Sequence, residues 1–434
     1  MAGRKSASPN VNLNLNVRGL KQSATLAINE KSAQLMRDGH KVYRFGLGQS
    51  PFPVPQPVVD ELRANAHQKD YLPVRGLRAL RDAVAGYHRR MHGIERSGED
   101  VLIGPGSKEL MFVLQLVYYG DLVIPTPSWV SYAPQARIVG RQIHWVPTQP
   151  ENDWRLMPDE LDRLCQEDPG RPRIVILNYP SNPTGDTYTA DELKALAKVA
   201  KKYKVILVSD EIYGELHHRG QHVSIARYYP EGTIISGGLS KWCGAGGWRL
   251  GTFTFPLSLR WLLEAMSTVA SETYTSTSAP IQYAAIRAFE GGTEIESYLA
   301  QSRRVLRHLG RHVWRSLRDA GAAVSEPVGG FYLFPDFTPL RDRLARHGIE
   351  GSAALCERLL EETGVATLPG ADFGRPPAEL TLRLAYVDFD GARALSAAQQ
   401  VPIDQELDRD FLELYCPNVM QATAAMTAWL KRLK

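Results

Sequence analysis

The sequence predicts an α/β protein with a large doubly wound domain and a smaller α+β domain. Its 434 residues exceed the size at which a single hydrophobic core usually stops growing. From about residue 70 to residue 255, short apolar runs alternate with helical patterns, as in a mainly parallel sheet covered on both faces. Seven runs are candidate strands of this sheet: VLIG at 101, DLVIPTP at 121, QIHWVP at 142, RIVILNYP at 173, KVILVSDEI at 204, GTIISG at 232 and RLGTFTF at 249.

The N-terminal residues, 1–45, are predicted to form an arm and one helix of the smaller domain. Residues 1–10 are predicted to be disordered, and NVNLNLNV at 10–17 alternates asparagine with aliphatic residues at the strand period. We therefore expect an arm that lies against a sheet edge or a partner. Residues 23–38 have a helical pattern, with Ser23 as a candidate cap. The residues expected to be buried in this helix are Leu26, Ile28 and Leu35.

An amphipathic pattern over residues 297–319 predicts a long helix at the boundary between the two domains, with Gly321 just past its end. The large domain then takes residues 46–310, and residues 311–434 complete the smaller one. The apolar residues of the helix are Leu299, Leu306, Leu309, Val313 and Leu317. The elements expected after it are a hairpin-like stretch at 322–337, a helix near 352–363, a strand in TLRLAYV at 381–387, and a tail from 401 with an acidic segment and a helix.

The composition favours small-molecule chemistry. Lys plus Arg number 51 and Asp plus Glu 47, so the net charge of +4 is no electrostatic footprint for nucleic acid or an anionic membrane. No apolar run approaches the roughly eighteen residues of a membrane span, and we expect neither a secretion signal nor an anchor. The cysteines form no Cys-x-x-Cys pair, so we expect a reducing cytoplasm, no disulfide framework and no metal site. They are Cys165, Cys243, Cys356 and Cys416.

The stretch SGGLSKWCGAGGWRLG at 236–251 carries the candidate catalytic lysine, Lys241, and eight residues later Arg249. Its many glycines suggest a chain that passes close to a ligand, with its amide groups near enough to touch it. A lysine can form a Schiff base with a carbonyl compound, and an arginine offers a planar fork that suits phosphate. An aldehyde with a phosphate describes pyridoxal phosphate. A glycine-rich loop with a solvated lysine is the alternative, and this stretch alone leaves both open.

Two of the predicted strands are followed by candidate ligand-binding groups. GPGSKEL at 104–110 is a glycine-rich turn before a helical run, which presents free amides and a positive dipole end to an anion. Most such turns bind nothing, so the pattern is weak alone. After DLVIPTP comes SWVSY, where Trp129 either offers a flat face to a heteroaromatic ring or belongs to the core.

The next two strand ends carry more specific motifs. In YPSNPTG, turn chemistry and Pro183 hold the amide of Asn182 at the end of its strand. In DEIYGEL, Asp210 and Tyr213 lie three residues apart at the same edge of the sheet. A buried acid needs a partner, and a pyridinium nitrogen is a good one, although Asp210 as a helix cap is the alternative.

With these motifs in this order, the chain resembles a fold type I pyridoxal-phosphate enzyme of the class I/II, aspartate aminotransferase-like, aminotransferase family. The resemblance runs from about residue 46 to residue 390 and rests on NYPSNPTG, SDEIYGEL and SKWCGAGGWRLG. It implies that Lys241 forms the Schiff base with the cofactor and that Asp210 pairs with its pyridine nitrogen. Asn182 and Tyr213 are then expected to hold the phenolic oxygen, and Trp129 to stack on the ring.

The resemblance also implies a phosphate site and a shared active site. Tyr71 matches a tyrosine with which the family reaches the phosphate of the neighbouring subunit, so a homodimer is expected. The family often has a hydroxyl residue three positions before the lysine, whereas Gly238 stands here, flanked by Ser236 and Ser240. The residues expected around the phosphate are Gly106, Ser107, Lys108, Ser240 and Arg249.

The substrate contacts implied by the resemblance lie further along the chain. Arg383 in TLRLAYV matches the residue that holds the α-carboxylate, with Asn182 beside it, and Gly48 in GLGQSPF matches the loop that closes over it. Arg383 as a surface strand residue is the alternative. The segment after Asp390 is longer than the usual family ending and indicates no function.

The expected reaction is transamination between an L-amino acid and a 2-oxo acid through a Lys241 Schiff base and a quinonoid intermediate. The same intermediate can lead to elimination or replacement at the β or γ carbon, for example with S-adenosylmethionine, so that reaction is the alternative. A non-catalytic sensor with this fold is a third possibility. No arginine occurs from Ser267 to Ile281, where some relatives hold a distal carboxylate, but Lys108 stands where others use lysine. We therefore hypothesise that Lys108 recognises an acidic substrate such as glutamate.

Overall fold

The computed structural model describes residues 12–433. Its strands are β1 (Tyr43–Arg44), β2 (Val101–Gly104), β3 (Asp121–Thr126), β4 (Ile143–Pro147), β5 (Arg173–Asn178), β6 (Ile206–Asp210), β7 (Thr233–Gly238), β8 (Gly251–Thr254), β9 (Tyr332–Leu333), β10 (Val365–Ala366), β11 (Leu368–Pro369) and β12 (Leu382–Ala385). Its helices are α1 (Ala24–Arg37), α2 (Gln56–Ala64), α3 (Arg78–His92), α4 (Ser107–Val117), α5 (Tyr132–Ile138), α6 (Pro158–Glu167), α7 (Ala190–Lys202), α8 (Arg260–Glu272), α9 (Ala279–Glu290), α10 (Thr293–Asp319), α11 (Arg341–Arg346), α12 (Ser352–Thr363), α13 (Gly391–Gln399), α14 (Arg409–Tyr415) and α15 (Pro417–Arg432).

All seven predicted strands form one sheet, in the order β2-β8-β7-β6-β5-β3-β4. The five strands from β4 to β7 pair in parallel, and β8 is antiparallel to both β7 and β2. Strand β2 therefore runs in the same direction as the five parallel strands. The predicted α/β fold class with a mainly parallel seven-stranded sheet is confirmed.

Helices cover both faces of this sheet because successive strand residues face opposite sides. In β5, Ile174 and Ile176 belong to an apolar cluster with residues of α4 and α8, whereas Val175 and Leu177 belong to a cluster with residues of α6 and α7. The strands are thus apolar on both sides, as the continuous hydrophobic runs predicted. This arrangement leaves the ends of the strands as the place where polar groups can gather.

The C-terminal part adds a three-stranded sheet, β11-β12-β9, and the parallel pair β1-β10. Helix α10 begins four residues before its predicted start and ends as predicted, and all five of its predicted apolar residues are buried. The chain after Asp390 forms α13, α14 and α15, which join the same core, where the Trp429 indole donates to Glu362 at 2.8 Å. The domain limits 46–310 and 311–434 stay predictions.

The N-terminal prediction of an extended arm is wrong for residues 12–17, the part of the segment that the structure describes. They form turns, because asparagine side chains compete with the backbone: Asn14 accepts a hydrogen bond from the backbone of Asn16 at 2.9 Å. In α1 the Ser23 side chain makes no cap bond, and Leu26 is 50% exposed, while Ile28 and Leu35 pack against the core. The predicted disorder of residues 1–10 lies outside the described residues.

Across residues 12–433, no helix is both long enough and apolar enough to cross a membrane.

Candidate active site

The predicted site residues gather at the carboxyl ends of the parallel strands. Asp210 is the last residue of β6, Asn182 follows β5, and Trp129 follows β3. Lys241 follows β7, and the GPGSKEL turn follows β2, which runs in the same direction. The sheet therefore brings five separate stretches of sequence to one edge, where open α/β sheets bind their ligands.

Asp210 is buried and held by two hydroxyl groups. Tyr132 donates to its Oδ2 at 2.5 Å and Ser236 donates to its Oδ1 at 3.3 Å. Burial raises the pKa of Asp210 to about 6, while the bonds from Tyr132 and Ser236 oppose this rise. Above pH 6 the carboxylate is ionised, and a protonated ring nitrogen is a suitable partner for it. The sequence analysis missed Tyr132, although it lies in the SWVSY stretch and three residues after Trp129.

Lys241 reaches back to the loop that follows β1. Its Nζ donates to the Gly48 carbonyl at 2.7 Å and lies 5.5 Å from the ring centre of Tyr213 and 5.9 Å from that of Phe331. Burial, followed by the positive charges of Arg383 and Arg249, lowers the pKa of Lys241 to about 7. At neutral pH a lysine with this pKa is uncharged in a substantial fraction of molecules, and the uncharged amine is the form that attacks a carbonyl carbon.

Arg383 is buried on β12, with 1% of its surface exposed, so it is not a surface strand residue. Its Nη1 donates to Asn182 Oδ1 at 3.2 Å and its Nη2 donates to the Gly46 carbonyl. The guanidinium lies over the rings of Tyr332 and Phe373, at 4.8 and 5.2 Å. Its Nε has no hydrogen-bond partner, and it forms no ion pair within residues 12–433. A buried cation without a counter-charge suits a carboxylate ligand.

Asn182 and Tyr213 are fixed by neighbours on separate elements. The backbone amide of Asn182 donates to the side chain of Asn178 at 2.7 Å. The Tyr213 hydroxyl lies 2.8 Å from that of Tyr332, which donates to Gly48 at 3.4 Å. Gly48 has no room for a side chain, because a Cβ there would lie 1.9 Å from the Tyr332 oxygen. Tyr332 was missed from the sequence, where its only signal is the GGFYLF stretch.

The predicted phosphate site is a close approach of two glycine-rich turns. A Cβ on Gly106 would lie 2.1 Å from Arg249 Nη2, and one on Gly251 would lie 2.1 Å from the Ser107 amide nitrogen. Helix α4 begins at Ser107, so its first amide groups point out of the helix beside Arg249. Lys108 Nζ lies 5.2 Å from the ring centre of Trp129. Burial, followed by the charge of Arg249, lowers the pKa of Lys108.

Gly238 has no space for the hydroxyl residue that the family often has there. Its φ is 150°, and a Cβ would lie 2.7 Å from the Leu250 carbonyl oxygen. Ser236 is turned towards Asp210 instead of the phosphate turns. Of the two flanking serines, Ser240 is therefore the one left as a candidate phosphate contact.

Tyr71 and Trp129 differ in how far they join the site. Tyr71 is 88% exposed, and none of the hydrogen bonds found among residues 12–433 ties it to the other predicted residues. Trp129 is partly buried and meets the ring of Tyr132 edge-on at 5.2 Å. Within one chain, the structure thus brings together the predicted site residues except Tyr71.

Pyridoxal 5′-phosphate fits this set of groups. The close approach at Gly106 and Gly251 brings the first amides of α4 beside Arg249, a combination that suits a phosphate, while Lys241 offers an amine for the carbonyl. Asp210 offers a buried carboxylate for the ring nitrogen.

Comparison with known proteins decides the family. The family model for aminotransferase class I and II matches residues 40–393. The chain belongs to this family. It is a pyridoxal-phosphate-dependent aminotransferase, and the predicted cofactor is confirmed.

The relatives of this aminotransferase share most of its length. An aspartate aminotransferase of Geobacillus stearothermophilus is 36% identical over 379 residues, which cover 85% of this chain and 93% of the relative. An aspartate/prephenate aminotransferase of Thermus thermophilus is 32% identical over 366 residues, covering 83% and 91%. The solved structure of a Thermus thermophilus aspartate aminotransferase with maleate has a TM-score of 0.82 at 28% identity, and the match covers 96% of this chain and 99% of that one.

These findings confirm the predicted transfer of an amino group between an amino acid and a 2-oxo acid. They do not favour the alternative of elimination or replacement at the β or γ carbon. They also support an enzyme over a non-catalytic sensor.

Proposed function

We propose that this aminotransferase acts on acidic amino acids and 2-oxo acids, and that Lys108 binds their distal carboxylate. The observation that carries the proposal is the unpaired cation: Lys108 is partly buried beside Trp129 and forms no ion pair within the described residues. Aspartate is the substrate named in several relatives, which supports an acidic substrate here.

Lys108 also borders a wide cavity whose lining does not include Lys241, Asp210 or Arg383. This cavity, of about 1130 Å³, lies between α1, α5 and α12. Its other basic residues are Lys21, Lys31 and Arg137, and its acidic residues are Glu109, Glu357 and Asp372. With four basic and three acidic side chains, this lining is only weakly positive.

The two ends of the substrate are assigned to different cations. Arg383 holds the α-carboxylate, because its guanidinium is buried, fixed by Asn182 and short of a counter-charge. The backbone amide of Lys108 lies in the first turn of α4 and would contribute to the phosphate site, while its Nζ, which lies beside Trp129, would bind the distal carboxylate.

Lys241 carries the proton transfer. The bound cofactor supplies a carbonyl carbon that takes the amino group and an electron-withdrawing ring that stabilises negative charge at the α-carbon. Lys241 Nζ, with a pKa near 7, would take the proton from the substrate Cα and then donate it to the carbon that the cofactor's carbonyl group supplies. Asp210, when ionised, would pair with the protonated ring nitrogen, and Tyr213 with Asn182 would hold the phenolic oxygen.

The homodimer and the location are further parts of the proposal. An exposed tyrosine at position 71 supports a role for the partner subunit's Tyr71 at the phosphate. All four cysteines are free and buried, which supports the expected cytoplasm. Sedimentation velocity tests the dimer, and a monomer at the concentration of full activity contradicts it.

The test of the proposed substrate is a half-reaction screen that follows the absorbance of the cofactor. We expect Lys108→Gln to lower kcat/KM for aspartate and glutamate by about 10- to 100-fold, the worth of one charged hydrogen bond. With alanine as the amino donor, Lys108→Gln should react as fast as the wild type. Lys194→Gln, on α7, is the control and should change neither. An unchanged glutamate half-reaction in Lys108→Gln contradicts the proposal.

A further inference from the structure

The loop between β11 and β12, residues 370–381, is tied to the ends of two strands of the large sheet by a buried arginine. Arg375 is only 8% exposed. Its Nη1 donates to the backbone carbonyls of Thr126, at 3.2 Å, and Thr148, at 3.1 Å. Thr126 is the last residue of β3, three residues before Trp129, and Thr148 directly follows β4. One guanidinium therefore connects the loop that leads into β12 with the strand end that leads to the predicted stacking tryptophan.

The rest of the Arg375 guanidinium is held by Glu379 and by an aromatic ring. Its Nε donates to Glu379 Oε2 at 2.9 Å and its Nη2 donates to Oε1 at 2.8 Å. Two parallel bonds of this kind use the planar fork of arginine. The guanidinium also lies 4.7 Å from the ring centre of Trp154. All three nitrogens thus make hydrogen bonds, so the side chain has a fixed orientation.

The backbone of the loop lies equally close to the end of β3. The Ser128 amide donates to the Phe373 carbonyl at 2.9 Å. Gly374 has a φ of 85°, and a Cβ there would lie 2.9 Å from Thr126 Cγ2 and 3.0 Å from a ring carbon of Trp145. This contact leaves no space for a side chain at position 374, so the loop and the strand end are packed as one unit.

Aromatic side chains connect Arg375 to Arg383. Trp154, below Arg375, meets Phe334 edge-on at 5.7 Å, and Phe334 meets Phe373 edge-on at 6.0 Å. The Arg383 guanidinium lies 5.2 Å from the ring centre of Phe373. The three aromatic residues belong to one apolar cluster. Because a close-packed interior transmits displacements, a shift of the loop at Arg375 would also shift the surface on which Arg383 lies.

We propose that Arg375 is a positioning residue, which keeps the Arg383 guanidinium in place for the substrate by fixing the 370–381 loop to the end of β3. The inference rests on the proposed role of Arg383 at the α-carboxylate. The side chain of Arg375 bonds to Thr126, Thr148 and Glu379, none of which is a predicted site residue. Its replacement should therefore weaken substrate binding and leave the proton transfer unchanged.

The test compares the half-reactions of Arg375→Lys with aspartate and with alanine, followed by the absorbance of the cofactor. Lysine keeps the positive charge, but its single nitrogen cannot make the two bonds to Glu379 and also reach both carbonyls. We expect kcat/KM to fall about 10-fold, as for one misaligned charged hydrogen bond to the α-carboxylate. The fall should be the same for both donors, since both have an α-carboxylate. Lys108→Gln, by contrast, should affect aspartate alone.

The loss in Arg375→Lys should lie in KM, with kcat within about threefold of the wild type. Equilibrium dialysis should find the cofactor bound as tightly as in the wild type. Glu379→Gln should raise KM by a smaller factor, about threefold, because the paired charge is lost but the bonds to the carbonyls remain. This variant also tests the inference if Arg375→Lys does not fold. An unchanged KM, or a loss that lies in kcat, overturns the inference.

Arg304→Lys is the matched control. Arg304 is a buried arginine of α10, 4% exposed, and it donates to the backbone carbonyls of Val401 at 2.9 Å and Pro402 at 2.7 Å. Its replacement removes bonds of the same kind in another part of the chain and should leave KM unchanged. An equal rise of KM in Arg304→Lys would mean that any loosened arginine has this effect, which overturns the inference.

A second control separates this inference from the proposed function. In an Arg383→Lys background, Arg375→Lys should lower kcat/KM by less than about twofold further, because the guanidinium that it positions is absent. A further loss as large as in the wild-type background overturns the inference. If Arg383→Lys alone leaves kcat/KM unchanged for both donors, the proposed role of Arg383 fails instead.

Discussion

The two ends of the active site differ in how many of their polar side chains already have side-chain hydrogen-bond partners within the protein. At the ring and carboxylate end, Asp210 and Arg383 are almost fully buried and hydrogen-bonded to Tyr132, Ser236 and Asn182. At the phosphate end, Arg249 is exposed, and its hydrogen bonds among residues 12–433 go to the backbone carbonyls of two turns. The first end is in place before a ligand arrives, whereas the second is completed by its ligand. Substitutions at the first end should therefore affect the chemistry, whereas substitutions at the second end should affect the affinity for the cofactor.

Lys241 stands between the two ends and should show the largest effect. Lys241→Ala removes the amine that attacks the carbonyl and moves the proton, so turnover should fall at least about 10⁴-fold. The visible absorption of the lysine-bound cofactor should disappear as well, which a spectrum of the purified protein measures. Retained turnover would refute the assignment of this lysine.

Arg383 tests the buried end. Arg383→Lys keeps the charge but loses the planar fork, so kcat/KM should fall about 100-fold for every amino donor. Steady-state kinetics should place most of the loss in KM, and equilibrium dialysis should find the cofactor held as in the wild type. An equal loss of cofactor would mean that the two ends are not separate.

Arg249 tests the open end. Arg249→Gln should weaken cofactor binding by about 10-fold, because it removes one charged contact to phosphate. At saturating cofactor, kcat should stay within about threefold of the wild type. Arg318→Gln, an exposed arginine at the end of α10, is the control. If kcat falls and excess cofactor does not restore it, Arg249 affects the chemistry as well as cofactor binding, and the two ends do not differ as described.

Tyr132 should show the smallest effect, and one that depends on pH. Its bond lowers the pKa of Asp210 against the rise caused by burial, so Tyr132→Phe should raise that pKa above about 6. Because Asp210 must be ionised, the variant should be less active than the wild type at pH values under about 7. Near pH 8.5 the two should be equally active. The pH profile of kcat/KM measures this shift.

The matched control for Tyr132→Phe is Tyr188→Phe, since Tyr188 is also hydrogen-bonded, in its case to the Leu156 amide at 3.0 Å. It should leave the acid limb unmoved. An acid limb that does not move in Tyr132→Phe would mean that Asp210 does not govern it.

Strands and strand ends were predictable because their signals are local. Seven apolar runs gave the sheet, and the groups after them, such as Asp210 and Asn182, follow from chain order. Tyr132 and Tyr332 were not predictable in this way, because their partners lie 78 and 119 residues away in sequence. The prediction of an extended arm at residues 12–17 was wrong for a local reason. The alternating pattern suits a strand, but the Asn14 side chain bonds to the neighbouring backbone.

The loop at residues 46–48 limits how the active site can be altered by mutation. Its backbone carbonyls, at Gly46 and Gly48, accept hydrogen bonds from Arg383 and Lys241. No amino-acid substitution deletes a carbonyl, so both acceptors survive in any library of point variants at these positions. A side chain at Gly48 would instead collide with Tyr332, because its Cβ would lie 1.9 Å from the Tyr332 oxygen. In directed evolution, insertions and deletions in this loop are therefore the changes that would alter the hydrogen bonds of both Arg383 and Lys241.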